Sequence, residues 1–151
     1  DTATAAVATL DGLVVVEGTV AAAGAWAGAP GRSPLEGIAL VTDPSIVTAV
    51  GNDLGFEEIF RRQVQAHGRP GDVAIGISTS GRSKNVLAAV EWARAHGLVT
   101  VGLTGGGGGD LARLVDHLID VPSHETPRIQ EVHGLVVHLL CQIVEEDLVG
   151  V

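Results

Sequence analysis

The sequence predicts an α/β fold, a three-layer α/β/α sandwich around a mostly parallel sheet. Three observations predict it. From about residue 36 onward, short apolar runs alternate with segments of helical periodicity. The runs are almost wholly apolar, as strands covered by helices on both faces must be. Turn signals separate them, such as "RPGD" before residue 73 and Gly97 behind a helical segment.

In chain order, "LVVVEG" (13–18) is a candidate strand, "TVAAAGAWAG" (19–28) a weak helix or flexible connection, and "GAPGRSP" (28–34) a loop. This opening fits the scheme least well. "GIALVT" (37–42) reads as a strand, and "DPSIVTAVGND" as a short helix capped by Asp43 or Ser45. "GNDLGF" (51–56) predicts a turn, because Asn52 and Asp53 can bond their own backbone. "LGFEEIFRRQVQAHG" (54–68) places Phe56, Ile59, Phe60 and Val64 on one helical face. "VAIGIS" (73–78) is a buried strand, followed by a helix over about 82–96. "VTVGLT" (99–104) and "HLIDVP" (117–122) are further strands, with a short helix near 109–115 between them. The "GGGGG" at 105–109 reads as a mobile turn, and a long helix runs from about 126 to 147.

A length of 151 residues holds one domain, 1–151, with a sizeable core. A hydrophobic fraction of 46% with 18% charged residues excludes disorder. The net charge of −9 argues against non-specific binding to nucleic acid or an anionic membrane. It leaves room for a local anion site built from backbone amides. One cysteine excludes a disulfide framework and a four-thiolate metal site within one chain. No basic leader precedes an apolar run, and no apolar stretch is long enough for a bilayer, so a cytoplasmic protein is expected. Methionine is absent even at position 1, so the sequence does not begin at an ordinary initiator.

The densest chemistry lies in "STSGRS" (78–83), at the carboxyl end of the 73–78 strand, where ligands collect in doubly wound sheets. Backbone amides and the positive end of the next helix suit a phosphate. Hydroxyls from Ser78, Thr79, Ser80 and Ser83 donate without adding charge, and Gly81 admits close backbone approach. The plain alternative is a helix start with Ser80 or Ser83 as its cap. The lysine-hydroxyl ending of a nucleotide P-loop is absent. After the next strand, Thr104 and the glycine run either form a second donor-rich loop or are slack chain.

On the last helix, Gln130 and His138 project within about 80° of each other, and His133 falls on the other side of Gln130. Val132, Leu135, Val136, Leu139, Leu140 and Ile143 form the main apolar surface. His138 sits at its edge, where partial desolvation would keep the imidazole neutral and able to accept a proton or a metal, unless it is simply a packed residue. Cys141 reads as structural. Asp43 either accepts from a polyol or caps its helix. Arg128 either holds a carboxylate or lies on the surface.

The stretches "VTAVGNDLGFEEIF", "GDVAIGISTSGRSKNVLAAVEWAR", "TVGLTGGGGGDLA" and "TPRIQEVHGLVVHLLCQIVEE" together resemble the phosphoheptose isomerases of the sugar isomerase (SIS) domain superfamily, over about residues 37–147. The resemblance implies an aldose–ketose isomerase interconverting sedoheptulose 7-phosphate and D-glycero-D-manno-heptose 7-phosphate. It also implies a homotetramer with sites between subunits, and bound zinc. Carried over, Ser78, Ser80 and Ser83 match phosphate-binding serines, with Thr79 beside the sugar. Asp43, Thr104 and Gln130 match substrate contacts, Gln130 and His138 metal contacts, and His138 the catalytic base. Pro127 stands where some relatives carry a substrate-binding aspartate. Residues 1–35 depart from the family, lacking its glycine-rich phosphate loop and the helix that bears a histidine and the partner glutamate. Glu17 and Glu36 stand outside that context. Either the region has diverged and activity is lost, or residues are missing there. The alternative within the superfamily is a non-catalytic adaptor for a replication initiator, or a phosphosugar sensor.

Overall fold

The computed structural model describes residues 13–16 and 37–149. The expectations for 19–28 and 28–34 lie outside the described residues. Among the described residues, five strands form one all-parallel sheet in the order β2-β1-β3-β4-β5. They are β1 (Leu13–Val16), β2 (Gly37–Ala39), β3 (Val73–Ile77), β4 (Val99–Gly105) and β5 (His117–Val121). Among the described residues the helices are α1 (Pro44–Asp53), α2 (Arg61–His67), α3 (Lys84–Ala95) and α4 (Thr126–Val149).

The strand candidate at 13–18 is thus confirmed as β1, and it lies inside the sheet between β2 and β3. The order of strands reverses there. The chain steps from β1 outward to β2, then returns to β3 and continues the other way. In such sheets the crevice beyond the carboxyl ends at the reversal is where ligands bind.

Right-handed crossovers place helices on one face when successive strands advance in one direction. From β2 to β5 all steps go the same way, and α1, α2 and α3 share one core with Leu40, Ala74 and Leu98. Side chains alternate along β3. Ala74 belongs to that core, whereas Val73, Ile75 and Ile77 join Leu103 on the other face beneath Val136 and Leu140 of α4. Gly76 lets α3 close on the sheet, since a Cβ there would come within 2.8 Å of Val90 and 3.0 Å of Val86. β3 is buried along its whole length, which explains its unbroken apolar sequence.

The segment expected as one helix over 54–68 is broken. A 3-10 turn (Phe56–Glu58) precedes α2, and Gly55 enters it at φ 100°. Phe56 consequently leaves the apolar face and stands 67% exposed, while Ile59, Phe60 and Val64 are buried. α1 runs through Asn52 and Asp53, so the turn expected at 51–56 begins only at Leu54. β2 ends at Ala39, short of the predicted 42. The short helix expected near 109–115 is a 3-10 turn (Leu111–Arg113). Among the described residues, no helix is long and apolar enough to cross a membrane.

Candidate active site

The hydroxyl-rich loop leaves β3 at the topological reversal. The Ser78 amide donates to the Leu103 carbonyl (3.0 Å), and the Gly81 amide closes a tight turn on the Ser78 carbonyl (2.9 Å). Gly81 has φ 62°, and a Cβ there would run into the Gly108 carbonyl. Ser83 occupies the N-cap position of α3 but makes no capping bond. Its Oγ instead lies 2.9 Å from Ser78 Oγ, joining the two ends of the loop. Ser80 Oγ accepts weakly from the Arg82 amide at 3.3 Å. The capping reading of Ser80 and Ser83 therefore does not hold.

That arrangement leaves donors free. Among the described residues, the amides of Thr79, Ser80, Ser83 and Lys84 have no hydrogen-bond acceptor. The last two stand at the start of α3, where unpaired N–H groups and the macrodipole favour an anion. Ser78 is only 5% exposed, whereas Ser80 is exposed and Thr79 and Ser83 half-buried. A cleft of ≈ 640 Å³ opens beside Ser83 and Lys84, walled by Val41, Phe56 and Phe60. Across it, Lys84 Nζ meets Glu57 at 2.9 Å, an exposed pair whose carboxylate raises the lysine pKa.

The glycine run is ordered rather than slack. Gly106, Gly107, Gly108 and Gly109 all have positive φ. Asp120 Oδ2 accepts from the Gly107 amide at 3.0 Å, and the Leu111 amide donates to the Gly81 carbonyl at 3.0 Å. The turn is thereby fastened to the serine loop. Thr104 is fully buried and its hydroxyl donates to Asp120 Oδ1 at 2.9 Å. In this chain, the Thr104 side chain is thus tied to Asp120 inside the protein.

Asp43 caps α1, with Oδ1 accepting from Ser45 (2.8 Å) and Ile46 (3.2 Å). It is exposed, and Oδ2 has no partner among the described residues. Arg128 pairs with Glu131 at 2.8 Å on the surface.

α4 starts at the carboxyl rim and runs back along the sheet. Its inner stripe is Ile129, His133, Val136 and Leu140. The apolar surface read from the sequence is split accordingly. Val136 and Leu140 pack inward, while Val132 (38%), Leu135 (59%), Leu139 (47%) and Ile143 (43%) are exposed. Gln130 and His138 are exposed as well. His138 points roughly 140–160° around the helix from His133 and Leu140, and lies about 12 Å of helix rise beyond Gln130. It is neither desolvated nor turned toward the sheet, which corrects the expectation of a half-buried imidazole. His133, which sequence reasoning set aside in favour of His138, is 4% exposed and bonded to the Thr104 carbonyl.

Zinc requires three or four ligands. Gln130 and His138 supply two, two helical turns apart, and no group of three His, Cys, Asp or Glu among the described residues could hold a metal ion. The described residues do not by themselves fit a zinc centre.

A family model described as SIS domain matches residues 13–105. The phosphoheptose isomerase of Rhodospirillum rubrum is 58% identical over 117 residues, 78% of this chain and 62% of that protein. That of Nitratidesulfovibrio vulgaris is 56% identical over 117 residues and 56% of its own length. The chain thus spans less than two thirds of the length of these curated relatives. The solved phosphoheptose isomerase of Neisseria gonorrhoeae superimposes with a TM-score of 0.84 at 38% identity, over 96% of this chain and 85% of that one.

Proposed function

This chain belongs to the SIS domain family, among its phosphoheptose isomerases, and from that premise we propose that it interconverts D-sedoheptulose 7-phosphate and D-glycero-D-manno-heptose 7-phosphate. The observation that carries the reading is the serine loop, with its unpaired amides at the start of α3. Phosphate held by the amides of Thr79, Ser80, Ser83 and Lys84 and the Ser80 and Ser83 hydroxyls anchors one end of the sugar. That binding energy serves to position carbons 1 and 2 at the other end.

Isomerisation moves a proton between those carbons and another between their oxygens. His138 takes the proton α to the carbonyl; the C–H pair becomes the ene-diol double bond, and the carbonyl pair moves to oxygen. Return of the proton to the neighbouring carbon completes the turnover. A carboxyl exchanges the oxygen-bound proton, and that acid lies outside the residues assigned here. Gln130 holds a sugar hydroxyl, and Asp43 contributes its free oxygen.

His138 faces outward on α4, so the serine loop of one copy meets the α4 of another. The exposed stripe of Val132, Leu135, Leu139 and Ile143 on the same helix supports this, because four apolar side chains in water favour a partner surface. A homotetramer with shared sites is the expected assembly, acting on a phosphorylated metabolite in the cytoplasm. Zinc, if it takes part, draws ligands from beyond the described residues in addition to Gln130 and His138.

Incubation of the purified chain with sedoheptulose 7-phosphate, followed by carbon NMR, tests the proposal. Appearance of the aldose supports it, and absence of any product overturns it. A phosphosugar sensor would share the serine-loop grip, so binding without turnover would select that reading instead.

A further inference from the structure

We propose that His133 is a positioning residue, a buried strut that fixes the height of α4 against the sheet and so sets Gln130 and His138. The proposal rests on the isomerase reading. His133 is the one polar member of the inner stripe Ile129, His133, Val136 and Leu140, and only 4% of it is exposed. Nε2 lies 3.0 Å from the Thr104 carbonyl. A carbonyl can only accept, so Nε2 donates its N–H there. Among the described residues, the buried Nδ1 has no hydrogen-bond partner. A leucine would fill such a place without stranding a polar atom, so packing alone does not account for an imidazole.

The bond has a continuation. Thr104 hands its hydroxyl to Asp120 Oδ1, and Asp120 Oδ2 holds the Gly107 amide. The glycine turn in turn lies on the serine loop, with the Leu111 amide on the Gly81 carbonyl. An unbroken path of hydrogen bonds and backbone contacts therefore joins α4 to the phosphate grip through the ends of β4 and β5. Apolar contacts let a helix slide by a fraction of a turn; a directional bond at one residue does not. His133 stands three residues after Gln130 and five before His138, so it is well placed to hold both.

The test uses the full chain with His133→Phe, which keeps a ring but loses the donor, and His133→Gln, which returns an N–H at similar reach. Misplacement of reacting groups by about 1 Å costs up to about a hundredfold. His133→Phe should lower kcat by about tenfold to a hundredfold with KM changed less than about threefold. His133→Gln should recover most of the loss. Normal kcat in the folded Phe variant would overturn the proposal, as would equal impairment of both variants. If His133→Phe does not fold, Thr104→Val cuts the next link of the path; it should lower kcat with little change in KM, and normal kcat would overturn the proposal.

If the wild type shows no turnover, the isomerase reading fails separately. Amide spectra of the wild type and the Phe variant (or Thr104→Val, if the Phe variant does not fold) then decide the strut. Shifts reaching Gly106–Gly109 as well as α4 support it, and shifts confined to the substituted residue's own element overturn it.

Discussion

Replacing Gly81 by alanine tests whether the serine loop is built by close backbone stacking. Its φ of 62° is left-handed, which costs an L-residue about 1–2 kcal/mol. The added Cβ would also sit 2.5 Å from the Gly108 carbonyl carbon and 3.0 Å from the Gly109 nitrogen. Those are backbone atoms of a turn itself tied to Asp120 and the Ala112 amide, so they cannot swing aside. Overpacking of this kind adds about 1–3 kcal/mol. Gly81→Ala should therefore lose about 2–5 kcal/mol, a large share of a typical domain's stability. Two controls separate the causes. Gly71 has φ 97° with nothing within 4 Å, so Gly71→Ala should cost only about 1–2 kcal/mol. Gly134 lies inside α4 with nothing within 4 Å, and Gly134→Ala should gain about 0.5–1 kcal/mol. Urea unfolding at one fixed protein concentration reads all three. If Gly81→Ala cost no more than Gly71→Ala, the stacking of the two loops would be refuted.

Ser83→Ala removes one donor and the partner of Ser78 Oγ, and should weaken phosphosugar binding by about tenfold, read by calorimetry. His138→Ala should abolish turnover while changing unfolding stability by less than about 0.5 kcal/mol, because the side chain is exposed. Asp116 supplies a pH dependence. Burial pushes its carboxyl up, but the Thr100 amide and hydroxyl, with Arg94 and His117, hold it below the usual carboxylate range. A depressed pKa means stability that is complete above the unfolded value and lost as pH falls through the folded one. Acid titration of stability in the wild type should show that loss below the ordinary carboxylate pKa. Asp116→Ala should flatten the acid limb and cost about 1 kcal/mol at neutral pH, discounted because the carboxylate is partly exposed.

Much of the architecture could be read from the residues because local and tertiary demands coincide. "VAIGI" is apolar throughout since β3 is covered on both faces, and Asp43 caps α1 as a short carboxylate before "PSIV" should. Other features depend on contacts distant in sequence. Phe56 fits a helical stripe with Ile59 and Val64, and only the positive φ of Gly55 turns it out to solvent. A run of glycines has the same composition whether slack or tightly wound; Asp120 and the serine loop decide which. The helical wheel of α4 offers two apolar flanks, and sequence cannot say which meets the sheet. Choosing the flank with Val136 and Leu140 buries His133 and leaves His138 outside. The cluster of hydroxyls at the end of β3 was legible, whereas the bond between Ser78 and Ser83 that replaces a cap was not.

An anionic sugar seated on the unpaired amides of the 79–84 turn is the premise on which the mechanism rests. Titration of the nitrogen-labelled chain with sedoheptulose 7-phosphate, read amide by amide, tests it most directly. The account predicts saturable shifts that are largest at Thr79, Ser80, Ser83 and Lys84 and that weaken in Ser83→Ala. Saturable binding that leaves those four amides unmoved would contradict it.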